Sequence, residues 1–447
     1  MKNTFDIRDY GAEPGVLCTT AFQAAVDAAD AVCGTVLIPA GLWVTGTVNV
    51  KGVSLYLDKG ATLQGSSEIA DYRYIDIVHA EMGQILPLLY SIGHENITFS
   101  GEGCIDLNGD HFFDFQKPEI PESRIPLSEE QLRECTVTKI VRPNQPIFFH
   151  KGKHIVIRDI RIKNAPSWTM TFDLCEDIRV LDMTIDNSLV IPNCDGMHFC
   201  CSSKIVVRGC NISAGDDCVA LTCITDWDVP TEKVVISDCI FRCCSKAISV
   251  GYMHSIVRDV TISNCVVTQS NRALVVMSSP GTGLVENLCV NNMRLDTYIQ
   301  AGNWWGNGEP VCVMGTTHDN PAYFVRPPAN RFPVACRNLY FQNLVCSGEN
   351  VLAVVGESGS VVNVHFDQVS FERKDSKNLP LKGRMVDIAP GEQTAIMPED
   401  DIPTWLLVKE SKHVSFTKAG LWPYHGIPLE ALIENCEDVT IDAKHIE

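Results

Sequence analysis

From residue 96 onward the chain repeats one short phrase: a polar residue, then alternating aliphatic positions, then a polar residue or cysteine. Asn96-Ile97-Thr98-Phe99, His154-Ile155-Val156-Ile157 and Asp177-Ile178-Arg179-Val180 open the series. Lys204-Ile205-Val206-Val207, Lys233-Val234-Val235-Ile236, Asp259-Val260-Thr261-Ile262 and Asn287-Leu288-Cys289-Val290 continue it, and Asn338-Leu339-Tyr340-Phe341 and Asn363-Val364-His365-Phe366 close it. Alternation with period two predicts short strands with one buried face. From His154 to Asn287 successive starts are 23, 27, 29, 26 and 28 residues apart. That is too short for a βαβ unit of about 30 residues, and no helical pattern lies between copies. A stack of strand coils fits, one coil per repeat, which predicts an all-β, right-handed parallel β-helix. A β-sandwich is the alternative, but Asn-Gly hairpin turns between neighbouring strands are scarce.

The chain is expected to form a single β-helix domain over residues 1–447, in three parts. Residues 1–70 are an entry module. Phe5–Ala12 predicts a first short strand and turn, and Thr19–Ala29 predicts a capping helix with Thr20 as N-cap and Gln23 three positions later. Gly34–Pro39 and Val53–Leu57 are the next strands. Residues 71–372 carry the main coils, interrupted by insertions at 110–140 and 298–336. The second insertion contains Asn303-Trp304-Trp305-Gly306-Asn307-Gly308-Glu309-Pro310, and long loops on a repeat scaffold commonly carry function. Residues 373–447 predict further irregular coils and an end cap, with Phe416 and Trp422 as anchors.

Hydrophobic residues make up 45% of the chain, enough for a large core. No apolar run is long enough for a membrane span, and Met1–Asp6 has no apolar signal segment, so a cytoplasmic location is expected. The 20 cysteines are spread along the chain, many inside strand-like runs (Cys210, Cys239, Cys265, Cys289). They predict reduced, buried, small apolar side chains. No paired CxxC at zinc spacing occurs, and no metal or other cofactor is expected. A net charge of −19 argues against nucleic acid and anionic membranes as partners. A polyanionic substrate would need a local basic patch.

Against this background one stretch stands out. Asn193-Cys194-Asp195-Gly196 is followed one repeat later by Gly215-Asp216-Asp217-Cys218. In a coiled parallel architecture, one repeat later means directly above, about 4.8 Å away. Asp195, Asp216 and Asp217 then form one cluster. Carboxylates that close cannot all ionise independently, so at least one pKa must rise. A clustered acid and base is what glycosidic bond cleavage needs. Asp216 and Asp217 are adjacent, and on a regular strand their side chains point to opposite faces. Both reach one cleft only if the chain bends at Gly215. His198, three positions after Asp195, is a candidate sugar contact or carboxylate-tuning group. Trp304 and Trp305 are candidates for a sugar-stacking platform, Lys246 and Arg272 for positive charge at the site, and Glu309 for a further carboxylate.

Asn187 through Leu221, with its Asn-x-Asp-Gly and Gly-Asp-Asp motifs, resembles the polygalacturonase family, glycoside hydrolase family 28. Arg142-Pro143 and Pro166-Ser167-Trp168-Thr169 also sit where that family carries an Arg-Pro and a Pro-x-Trp, and the similarity spans roughly residues 5–380. The resemblance implies that Asp216 is the general acid and that Asp195 and Asp217 position and deprotonate the attacking water. In the family a Gly-His-Gly precedes Ile-Ser-Ile-Gly. Here Ile248-Ser249-Val250-Gly251 is kept, but Lys246 stands at the His position. The family's Arg-Ile-Lys, which grips a galacturonate carboxylate, aligns with Val275-Val276-Met277. His198 stands where an Asp is usual.

The expected function is therefore metal-independent, inverting hydrolysis of an oligosaccharide, pectin-derived or from a related, less anionic plant glycan, by a monomer or homo-oligomer. The competing expectations are a β-helix transglycosidase or lyase, and an inactive carbohydrate-binding β-helix. A lyase would need Ca²⁺ or a basic catalytic residue, for which Lys246 is the candidate.

Overall fold

The computed structural model describes residues 3–118, 128–133, 135, 137–139, 141–279, 281–302, 304, 306–316, 332–375 and 403–446. It is a right-handed parallel β-helix. Twelve parallel strands form one sheet, called here the groove sheet, running from Val48–Asn49 to Glu430–Glu434. The remaining coil strands form a second parallel system of 22 strands. Among the described residues, antiparallel pairing is confined to two hairpins, Val78–His79 with Gly83–Gln84 and Phe113–Pro118 with Val137–Lys139, and an isolated bridge between Tyr424 and Ile427. No described helix is long and apolar enough to cross a membrane.

The repeat read from the sequence is the coil. Ile155, Ile178, Ile205, Val234, Val260, Leu288, Leu339, Val364 and Val414 stand in register on successive rungs. All nine are buried. The polar residue that opens each phrase has a specific job. Asn96, His154, Asp177, Lys204, Lys233, Asp259, Asn287, Asn338 and Asn363 all adopt the left-handed conformation, with φ between 54° and 63°. In most coils it is a kink inside the strand, as at Asp259 in Ile256–Ser263 and Asn287 in Leu284–Thr297. Asn and Asp tolerate that region best, and here they also bond up the stack. The Nδ2 of Asn287 donates to Asp259, that of Asn338 to Asn287, and that of Asn363 to Asn338.

Inside the coils like stacks on like. Phe149, Phe172 and Phe199 lie with ring centroids 5.2 and 5.0 Å apart. Phe341, Phe366 and Phe416 repeat the arrangement at 4.4 and 4.3 Å, with Trp405 edge-on to Phe416. Cys210, Cys239 and Cys265 occupy one buried interior column between Met183 and Met293, where a small apolar group fits the turn. Cys289 departs from the expectation of burial. It falls between the inward-facing Leu288 and Val290 and therefore points out to solvent. Trp422 is likewise 40% exposed.

The capping helix spans Thr19–Asp30, with Cys18 rather than Thr20 at the N-cap and no side-chain cap. Gln23 is not part of a capping box. Its amide accepts from Asn49 N and donates to Asn49 O, tying the helix to the edge strand of the groove sheet. Thr19 Oγ1 accepts from Gly46 N. These tertiary bonds replace the local ones, and Phe22, Ala25, Val26 and Ala29 close the end of the core.

Candidate active site

The two acidic motifs are the lead-ins to consecutive strands of the groove sheet, Met197–Cys200 and Val219–Thr222. Met197 pairs with Val219, Gly196 N donates to Asp217 O at 2.8 Å, and Met197 N donates to Cys218 O at 2.9 Å. Asp195 and Asp217 therefore occupy the same register position on neighbouring rungs. The glycines are dictated by close approach. A Cβ on Gly196 would lie 2.5 Å from Cys218 O, and one on Gly215 would lie 2.3 Å from Ile191 O. At this constriction the chain leaves the regular pleat, and Asp216 and Asp217 both reach the same cavity. Arg142 braces the first motif from below: its guanidinium donates to Pro166 O, to Pro192 O at 2.8 Å and to Asn193 Oδ1 at 3.1 Å.

The same register position continues upward as a column of charge. Lys246 follows Asp217, Arg272 pairs with Lys246, and Glu309 lies opposite Arg272. The order is acid, acid, base, base, acid. Lys246 Nζ is 3.4 Å from Asp217 Oδ2 and 5.7 Å from the Tyr252 ring centre. Arg272 turns the other way and makes a two-point pair with Glu309, Nε and Nη2 each 3.0 Å from a carboxylate oxygen. Glu309 also accepts from Asn307 N at 2.7 Å.

The cavity is lined by Asp195, Asp216, Asp217, His198, Lys246, Glu81, Asn193, Trp168, Ala220, Thr222, Ile224, Ser249 and Tyr252. Among the described residues, two buried polar atoms on this lining have no hydrogen-bond partner, His198 Nδ1 and Asp217 Oδ1. Buried polar groups are rarely left so, and both are poised for a hydroxyl or water. His198 Nε2 bonds Thr222 Oγ1 at 2.7 Å, its Nδ1 lies 3.5 Å from Asp195 Oδ2, and Trp168 stacks on its ring at 3.8 Å.

Burial and crowding set the protonation states. Burial pushes the Asp195 carboxyl well up, reinforced by Asp216 and Asp217. Burial raises Asp217 to about 7, with Lys246 pulling against it and Asp216 pushing with it. Asp216 is raised by burial, again opposed by Lys246. Burial holds His198 well below its ordinary range, so the imidazole is neutral near pH 7. Burial also works against the Lys246 ammonium, but Asp217, Asp216 and Asp195 outweigh it and the ammonium is held more firmly than usual.

Of the residues expected at the site, the structure gathers Asp195, Asp216, Asp217, His198 and Lys246 around one cavity. It does not bring Arg272, Glu309 or Trp304 to its lining. Arg272 and Glu309 are each 1% exposed and neutralise one another. Trp304, 2% exposed, packs on Cys244 and Leu189 beneath the surface. Trp305 lies outside the described residues. Glu81 was missed, because it comes from a hairpin far upstream whose sequence has no periodic signal. Trp168 and Tyr252 were legible only as neighbours of recognisable motifs. Among the described residues no group of three or more His, Cys, Asp or Glu side chains is arranged to hold a metal ion.

A parallel β-helix with a cluster of proton-sharing carboxylates on its groove sheet defines a carbohydrate-cleaving enzyme of the glycosidase class. The chain belongs to glycosyl hydrolases family 28, whose family model matches residues 29–301. It is similar to the exo-poly-alpha-D-galacturonosidase of Dickeya chrysanthemi, 25% identical over 86% of this chain and 73% of that protein. It is also similar to a probable polygalacturonase of Vitis vinifera, 24% identical over 68% of this chain and 61% of that one. In fold it matches the family 28 exopolygalacturonase of Yersinia enterocolitica, with a TM-score of 0.67 and 17% identity, over 99% of this chain and 79% of that one. The hyperthermoactive exopolygalacturonase of Thermotoga maritima gives a TM-score of 0.59 and 17% identity over 83% and 88%.

Proposed function

We propose that this glycosidase hydrolyses an oligosaccharide, pectin-derived or from a related, less anionic plant glycan, with inversion at the anomeric carbon. The observation that carries the reading is the convergence of Asp195, Asp216 and Asp217 on one cavity, with burial raising all three pKa values. Asp216, its carboxyl raised by burial, gives its proton to the glycosidic oxygen as the carbon–oxygen bond breaks. A water on the opposite face attacks the anomeric carbon and loses its proton to the Asp195–Asp217 pair, so two protons move and the hemiacetal product carries inverted configuration. Inverting sites place acid and base about 6.5–9.5 Å apart to leave room for that water. Lyase chemistry is disfavoured: Lys246 would have to act as a neutral base, and its carboxylate neighbours hold it charged.

Proton NMR of the first-formed anomer tests the mechanism. The expected product has the configuration opposite to the substrate. Retained configuration, or a glycosyl–Asp adduct trapped on the enzyme, would overturn the assignment of Asp195 and Asp217.

A pH dependence follows from the same cluster. With Asp217, a base in this scheme, at about 7, its ionisation should make kcat/KM rise as pH increases through neutrality. Because Lys246 pulls the acids down, Lys246→Met should move that rising limb to higher pH. A pH–rate profile with an unmoved limb would show that Lys246 does not set the cluster's protonation. For stability the sign is the reverse of the usual carboxylate. The folded-state value lies above the ordinary 3.8, so the folded protein binds the extra proton and loses stability as pH rises between the two values.

A further inference from the structure

Two polar atoms of the cavity lining share one unmet need. Among the described residues, His198 Nδ1 and Asp217 Oδ1 are buried with nothing bonded to them. Their residues are 3% and 6% exposed, and folded proteins rarely leave such atoms unpaired.

His198 is held from two sides. Its Nε2 bonds Thr222 Oγ1 at 2.7 Å, and Trp168 stacks on the ring with 22° between the planes. The His79 ring stands edge-on to Trp168 at 5.2 Å and braces it in turn. Flipping or tilting the imidazole would break one of these contacts, so Nδ1 keeps its aim. It lies 3.5 Å from Asp195 Oδ2, beyond the ordinary hydrogen-bond range. Asp195 and Asp217 share a register position on neighbouring rungs, and rungs stand about 4.8 Å apart. One water making two hydrogen bonds of about 2.8 Å spans about that distance.

The hydrogen count favours water over a sugar hydroxyl. A hydroxyl has one hydrogen and satisfies one acceptor, whereas a water has two and satisfies both. Burial keeps the imidazole neutral, so one of its nitrogens donates and the other accepts. With Nε2–H donating to Thr222 Oγ1, Nδ1 is the acceptor. The ionised Asp217 Oδ1 is an acceptor as well. A water that gives both hydrogens to these atoms turns its lone pairs away from them.

We propose that His198 is a water-positioning residue of the hydrolysis, its Nδ1 accepting one hydrogen of the attacking water while Asp217 Oδ1 takes the other. This rests on the reading of the cavity as the hydrolytic site. The water oxygen bonds to the anomeric carbon, and one hydrogen passes to Asp217 as a proton. The second stays on the new hydroxyl, still held by His198. The glycosidic carbon–oxygen bond breaks, and its oxygen takes the Asp216 proton.

Two measurements need no substrate. A high-resolution crystal structure should show a water within hydrogen-bond distance of both His198 Nδ1 and Asp217 Oδ1. Side-chain nitrogen NMR, with the signal assigned by its loss in His198→Asn, should show a neutral His198 with its hydrogen on Nε2. A missing water, a water bonded to only one of the two atoms, or hydrogen on Nδ1 would overturn the role. The kinetic test uses whichever oligogalacturonate or neutral pectic oligosaccharide the wild-type enzyme cleaves fastest. His198→Ala and His198→Gln should lower kcat about 10²-fold and His198→Asn only about tenfold, on the scale of a misplaced reactant, with KM little changed in all three. The Asn amide oxygen can stand near the Nδ1 position, whereas Gln reaches the Nε2 side and keeps the Thr222 bond. Better recovery by Gln than by Asn would make the role structural, and a raised KM at constant kcat would make His198 a sugar contact; either overturns the inference. Wild-type turnover of none of these substrates, or undiminished turnover by Asp216→Asn, would instead refute the hydrolytic reading, and the water and the tautomer would still be readable.

Discussion

Asp216→Asn should reduce kcat on a substrate with a poor leaving group by about 10²- to 10⁴-fold, the usual worth of a positioned general acid, while leaving the fold intact. Asn keeps the volume and hydrogen-bonding capacity of the side chain but has no proton to give. The fold is expected to survive, because Asp216 is one member of a crowded acid cluster whose ionised form is disfavoured by burial. A neutral amide relieves that crowding. Two substrates separate acid catalysis from a general loss of structure. An aryl glycoside whose phenolate departs without protonation should lose far less than an alkyl-linked or sugar-linked one. Equal losses on both, or normal turnover on the poor leaving group, would remove Asp216 from the proton-transfer step.

Glu309→Gln is expected to destabilise the protein by about 3–5 kcal/mol, the cost of removing one partner from a buried ion pair. Arg272 is fully enclosed, its two-point partner is Glu309, and the Gly306 turn packs directly on its side chain. With the carboxylate neutralised, a guanidinium remains in a site closed to water. The double variant Arg272→Met/Glu309→Leu should recover most of the loss, since an apolar pair of similar bulk carries no desolvation cost. Denaturant unfolding of the two variants checks both statements. A single variant within about 0.5 kcal/mol of wild type, the range of an ordinary surface change, would show that water or a neighbouring group reaches Arg272. The pair matters to the site because Arg272 stands on the rung after Lys246. If it were released, a second cation would lie next to the acids.

The sequence by itself determined the scaffold and the placing of the acids. Alternation with period two gives strands, and the 23- to 29-residue spacing of the phrases gives coils. The left-handed kink at each phrase's opening residue explains why Asn, Asp and other polar residues recur there. One coil between Asp195 and Asp217 was enough to stack them, because in a parallel β-helix sequence distance converts directly into height. Where a contact is not periodic, that conversion fails. The partnership of Arg272 with Glu309, the burial of Trp304 and the replacement of a capping box by the Gln23–Asn49 bonds were decided by which chain segments fold over one another. So was the arrival of Glu81 at the cavity, on a hairpin that leaves the coil and returns. Such contacts join residues through loops of irregular length, and their energies depend on burial and charge that exist only once the coils are stacked.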